Sequence, residues 1–151
     1  MMIKRLRMLP LIGMVVFLLT SCNTTTCKHN YTFTGEGEVW SAKYIQQATE
    51  KFIDKQSERQ DYETWYNSTF ELKYKGEQTD LNKIKSFKYR FQGISGGSSR
   101  TLEDAKGVHE IQGELKSVRS GSGAFESETS IIKVEIEWDG QIDQFDLQVR
   151  K

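Results

Sequence analysis

The chain has 151 residues, 21 basic and 21 acidic side chains, no net charge at neutral pH and a mean hydropathy of −0.61. With no contiguous basic run after the first seven residues, a polybasic surface for nucleic acid or anionic lipid is excluded. Two cysteines cannot make a disulfide framework, so any folded domain here must rest on a hydrophobic core.

Lys4, Arg5 and Arg7 precede an apolar run from Met8 to Leu19, broken only by Pro10 and Gly13. As a helix this run would cover roughly 18 Å, against about 30 Å of bilayer hydrocarbon. It is too short to span and matches the apolar segment of a secretory signal. The run ends in Leu19-Thr20-Ser21-Cys22. Basic start, apolar stretch, small residue and cysteine, in that order and spacing, resemble the signal peptide and lipobox of bacterial lipoproteins. The resemblance implies cleavage before Cys22 and a diacylglyceryl group on its thiol. The partner it implies is the membrane, on the extracytoplasmic face of the cell membrane. Two acyl chains would hold the chain stably, at ~0.8 kcal/mol per buried CH₂. Loss of Lys4, Arg5 and Arg7 leaves 18 basic against 21 acidic residues, a net charge of −3. The lipid, not electrostatics, must then be the anchor.

The expected organisation is therefore a signal peptide over 1–21, a lipidated N-terminus and tether over 22–30, and one domain over 31–151. Asn23 to Asn30 is polar and without periodicity, and at full extension its eight residues reach at most about 28 Å. From Tyr31 the period is two, interrupted at Gly35 and Gly37 by a turn or bulge. Trp40, Ala42, Tyr44, Ala48 and Phe52 then occupy even positions, with Gln46 and Glu50 as polar exceptions. A strand is favoured here, while helical spacing of Ile45, Ala48 and Phe52 keeps a helix as the competitor over 44–54. Asp54 to Asp61 is a charged connection, and Tyr62 to Tyr74 alternates again, suggesting that the two segments form one long hairpin.

Thr79 to Asn82 is a turn or short connection. Ile84 to Phe91 forms a strand with Phe87, Tyr89 and Phe91 inward. Gly93 to Ser99 is a glycine- and serine-rich loop, Val108 to Ile111 a short strand, and Ser117 to Gly123 loop-like. Ile131 to Trp138 and Gln141 to Val149 flank Asp139-Gly140, a two-residue hairpin signal because a type I′ turn needs positive φ at both central positions. Its register sets Val134 opposite Phe145, Ile132 opposite Leu147 and Lys133 opposite Asp146, and a slip of one residue would break all three. The fold class expected is all-β, an antiparallel β-sandwich. It is immunoglobulin-like in outline only, because the Cys-Trp-Cys signature of antibody domains is missing. With no proline after Pro10, edge strands need lysines or bulges as guards, or an edge serves recognition.

Gly35 with Trp40, Tyr74-Lys75-Gly76, Gly93 to Gly97 and Val134 to Gly140 together resemble a loose group of small β-sandwich lipoproteins of Gram-positive bacteria. Each of these motifs is a strand or turn signature. The resemblance implies a fold and no reaction.

Chemistry-bearing residues are few. Cys27 is left unpaired once Cys22 is lipidated. Cys27 with His29 falls short of the four ligands of a structural zinc site. His109 stands alone. Ser98, Ser99, Ser120 and Ser122 lie in loop-like segments without a Gly-x-Ser-x-Gly signature. Asp139, Asp143 and Asp146 lack the spacing of a calcium loop. Trp65 falls on the face opposite Tyr66, Phe70 and Leu72, where an exposed ring would suit a protein interface or sugar stacking. No catalytic residue, metal or cofactor is expected. The functional expectation is a membrane-anchored, non-enzymatic interaction module whose partner is a membrane or cell-wall protein. The alternative is a small-ligand or cell-wall glycan binder with a cleft rimmed by Trp40, Trp65 or nearby tyrosines.

Overall fold

The computed structural model describes residues 24–53, 61–103 and 114–150. The signal segment, Cys22, most of the Asp54–Asp61 connection and the Val108–Ile111 strand with His109 lie outside them. In chain order come β1 (Thr24–Glu36), β2 (Trp40–Ile53), β3 (Asp61–Tyr74), α1 (Gln78–Leu81), β4 (Phe87–Gln92), β5 (Gly97–Leu102), β6 (Glu114–Gly121), β7 (Ile132–Trp138) and β8 (Gln141–Val149). All strands pair antiparallel in one sheet, ordered β5-β4-β7-β8-β1-β2-β3-β6. The all-β expectation is met. The architecture is a single curled sheet rather than two separate layers.

The curl follows from the pairing. The β1–β8 ladder holds only Phe33↔Val149 and Thr34↔Gln148, a narrow junction between two broader halves. The halves close over a shared interior, where Phe70 of β3 stacks on Phe91 of β4 with ring centroids 4.3 Å apart. At one corner the guanidinium of Arg119 in β6 donates to the carbonyl of Gly97 in β5 at 2.7 Å, tying the two edge strands together.

Period two dictates what lines the interior. Odd residues of β1 and even residues of β2 and β3 share the concave face, since paired positions run Phe33↔Tyr44 and Tyr44↔Phe70. Phe33, Trp40, Tyr44, Phe70 and Leu72 meet Phe87, Phe91, Ile132, Ile136 and Leu147 there. Each such side chain contributes about 1.5–3 kcal/mol on leaving water. One end of the interior is filled by rings: Trp40 lies 5.0 Å from Tyr74, 5.1 Å from Phe87 and 5.9 Å from Trp138.

The 44–54 ambiguity resolves to strand, because β2 pairs along its whole length with β1 and β3. Backbone pairing on both sides outweighs the local helical spacing of Ile45, Ala48 and Phe52. The β2–β3 hairpin is present. The β7–β8 hairpin has the expected register, Ile132↔Leu147, Lys133↔Asp146 and Val134↔Phe145. Its turn residues Asp139 and Gly140 have φ of 46° and 81°, as the turn type requires.

Four expectations need correction. Thr24 to Asn30 is not a tether but the first half of β1, paired residue for residue with β2; its polar threonines gain a ladder partner that a local reading cannot see. Gly35 does not interrupt β1. It is glycine because a Cβ there would collide with the Asp146 carbonyl. The loop expected over Gly93 to Ser99 stops at a tight turn, closed by Gly93 N–H donating to Gly96 O at 2.9 Å, and Gly97 to Ser99 already belong to β5. Ser117 to Gly121 likewise form the end of β6, paired with β3. The Thr79–Asn82 connection contains the single helical turn α1.

Three carboxylates hold the turns. Buried Asp143 accepts from the backbone N–H groups of Glu38, Val39 and Trp40 at 3.3, 3.0 and 3.1 Å, fixing the β1–β2 turn. Buried Glu126 accepts from Ile94 N–H at 3.2 Å and Ser95 N–H at 2.8 Å, fixing the β4–β5 turn. Asp139 accepts from Ser86 and Lys85 N–H groups at the entry to β4, and these bonds, Ser86 foremost, hold its carboxyl below the usual range. Asp139 and Asp143 thus serve the backbone from separate places. Asp146 is exposed.

Candidate functional site

The concave face outruns the core. The β3–β6 ladder stops at Tyr66↔Gly121, and β8 reaches β1 only at Phe33 and Thr34. Residues 24–29, 48–53 and 61–66 therefore form a three-stranded ribbon beyond the closed part of the sheet, roughly 20 Å long at ~3.3 Å per residue. Its concave side continues the core series with His29, Glu50, Phe52, Tyr62 and Thr64 and has no opposing strand among the described residues.

One segment leans over the near end of this face. Thr64 Oγ1 donates to the Gly123 carbonyl at 2.8 Å and accepts from Gly123 N–H at 2.9 Å. The Gln46 amide donates to the Glu126 carbonyl at 2.7 Å and accepts from Glu126 N–H at 2.9 Å, taking the place of a strand partner. These two bolts carry Phe125 to a ring-centroid distance of 5.2 Å from His29. Between them opens a cleft of about 710 Å³, lined by His29, Tyr31, Glu50, Tyr62, Thr64 and Phe125.

The polar centre of the cleft is Glu50. One carboxylate oxygen accepts from the Tyr62 hydroxyl at 2.6 Å, and the other bonds His29 Nε2 at 2.8 Å. His29 Nδ1 meets the Tyr31 hydroxyl at 3.3 Å. Tyr62, then His29, hold the Glu50 carboxyl below the ordinary glutamate range. The same bond pushes the Tyr62 hydroxyl up. Deeper in, burial raises Tyr44 in spite of a hydrogen bond to Ser68. The arrangement keeps a carboxylate ionised among aromatic rings.

The two tryptophans singled out from sequence part company. Trp65 is exposed, at 56%, on the convex side of the ribbon beside Thr49. It borders a shallow groove of about 580 Å³ with Lys51, Glu63 and Ser122. Trp40 is wholly buried at the far, closed end. It cannot rim a cleft, because its ring is needed between Tyr74, Phe87 and Trp138. Its indole N–H finds no acceptor among the described residues. Cys27 is half-buried and unpaired, opposite Glu50 in register. Among the described residues no three His, Cys, Asp or Glu side chains gather as metal ligands, and no helix is long and apolar enough to cross a membrane.

Sequence reasoning set His29 in a tether and gave Glu50 no role. The signal was there: Gln46 and Glu50 are the polar residues in the even series of β2, and both are used, one as a bolt and one as the centre of the cleft. Phe125 carried no periodic signal. No protein family, curated protein or solved structure matches this chain.

Proposed function

We propose that this chain is a lipid-anchored extracytoplasmic lipoprotein that acts as a non-enzymatic interaction module, engaging a membrane or cell-wall partner at the open end of its concave face. The observation that carries the reading is the ribbon, which no described strand opposes, with an aromatic cleft built around one oriented carboxylate. Its position suits an anchor at Cys22. β1 begins at Thr24, so only Asn23 would separate the lipidated residue from the ribbon, a reach of at most about 7 Å. The binding end would then lie against the membrane and not on a stalk.

The test is crosslinking on intact cells carrying the full-length chain, with Cys22→Ala as the unanchored control and the mass of the N-terminal peptide read alongside. A diacylglyceryl mass on Cys22 and a membrane or wall protein captured only by the anchored form are expected. An unmodified Cys22, or equal capture by both forms, overturns the proposal. A second reading, small-ligand or glycan binding, is favoured by the Trp65 groove, where an exposed indole offers a stacking platform. Quenching of tryptophan emission by wall saccharides, lost in Trp65→Ala, would select it.

A further inference from the structure

We propose that the cleft at the open end binds a small organic ammonium ion, with Glu50 as counter-charge and Tyr31, Tyr62 and Phe125 as π-faces. This rests on the reading of the open end as the binding end and names its chemistry. Among the described residues, Glu50 is the only carboxylate lining the cleft, and no lysine or arginine lines it. The two lysines of the described ribbon sit on its other side. Lys28 is at an even, convex position of β1, and Lys51 pairs with Glu63 across the convex face at 3.9 Å. Tyr62 and His29 each engage one oxygen of Glu50, yet the side chain keeps 21% of its surface exposed. A carboxylate held ionised and partly open among ring faces attracts a cation that is poorly hydrated and apolar at its rim. No three His, Cys, Asp or Glu side chains gather as metal ligands there among the described residues. An anion would meet Glu50. A neutral apolar ligand would leave that charge desolvated.

The experiment is titration calorimetry on the full chain in a maltoside detergent, which carries no ammonium group. Choline chloride is compared with 3,3-dimethylbutan-1-ol, its uncharged isostere. Choline is expected to bind about tenfold more tightly than the isostere, in keeping with cation–π and counter-ion attraction at a partly desolvated site. Glu50→Gln should bring choline down to the isostere's affinity. Phe125→Leu keeps an apolar side chain and leaves the Glu50 bonds untouched, and it should weaken choline several-fold while sparing the isostere. Thermal melts show which variants are folded. Equal binding of the two probes, binding of neither, or a folded Glu50→Gln that holds choline unchanged overturns the assignment. Anchor-dependent capture of a partner in intact cells would still stand in that event, so failure of the cation site and failure of the interaction module are told apart.

Discussion

The two ends of the curled sheet use the same kind of residue for opposite purposes. At the closed end Trp40 is surrounded by Tyr74, Phe87 and Trp138 and is fully buried. At the open end Phe52 and Tyr62 pair across strands with ring centroids 5.2 Å apart, yet stay 37% and 54% exposed. Trp40 and Tyr74, like Phe52 and Tyr62, belong to the same even series of β2 and β3. What separates them is whether β4 and β7 lie opposite. Aromatic alternation along a strand therefore identifies an inward face, while the extent of the opposing strands decides where that face becomes core and where it remains a surface.

The largest expected effect lies at the closed end. Trp40→Ala should cost about 3–5 kcal/mol in denaturant unfolding, as the loss of a buried aromatic does elsewhere. Trp65→Ala, at an exposed convex position, should fall within about 0.5 kcal/mol of the parent. Comparable losses at the two sites would erase the distinction between the ends.

Next come the carboxylate clamps. Asp143→Ala leaves the N–H groups of Glu38, Val39 and Trp40 without their acceptor and should cost about 2–3 kcal/mol. The amide protons of residues 38–40 should then exchange faster. Glu126→Ala removes the acceptor of Ile94 and Ser95, a more open turn, and should cost about 1–2 kcal/mol. It should also quicken exchange at 94 and 95 without changing 38–40.

The smallest effect concerns pH. Glu50 is stabilised in its ionised form by Tyr62 and His29, so its folded pKa lies below the ordinary 4.5. Its contribution to stability is complete above the unfolded value and is lost as pH falls through the folded one. The parent should accordingly be more stable than Glu50→Gln at neutral pH, and the gap should close on acidification below about 4.5. Melting temperatures of both proteins across this window provide the check. A gap that widened toward acid would reverse the sign and rule out Glu50 as an oriented carboxylate.

Much of the architecture was legible because period-two patterns and turn chemistry are local. The Asp139-Gly140 hairpin, with its register, and the inward set Phe87, Tyr89 and Phe91 follow from residues close in sequence. What escaped depends on distant partners. Thr24 to Asn30 looks shapeless alone and becomes a strand only because β2 pairs with it along its length. Ser117 to Gly121 become a strand for the same reason, through β3. One curled sheet and two stacked sheets share the same alternation, and the two-pair junction of β1 with β8 is not written in either segment. For the site, Glu50 stood out as a polar residue on an apolar face, whereas Phe125 reaches His29 only through hydrogen bonds made by Thr64 and Gln46 from other strands. Trp40 and Trp65 are alike by composition and opposite in location.

In the proposed function the open end, and not the closed one, meets the partner. A photo-crosslinking residue placed at Tyr62, exposed on the ribbon, can be compared in intact cells with one at Ile142, exposed at the start of β8 near the closed end. A specific adduct with a membrane or wall component is expected from position 62 and none from position 142. Adducts from 142 alone, or equally from both, would contradict it.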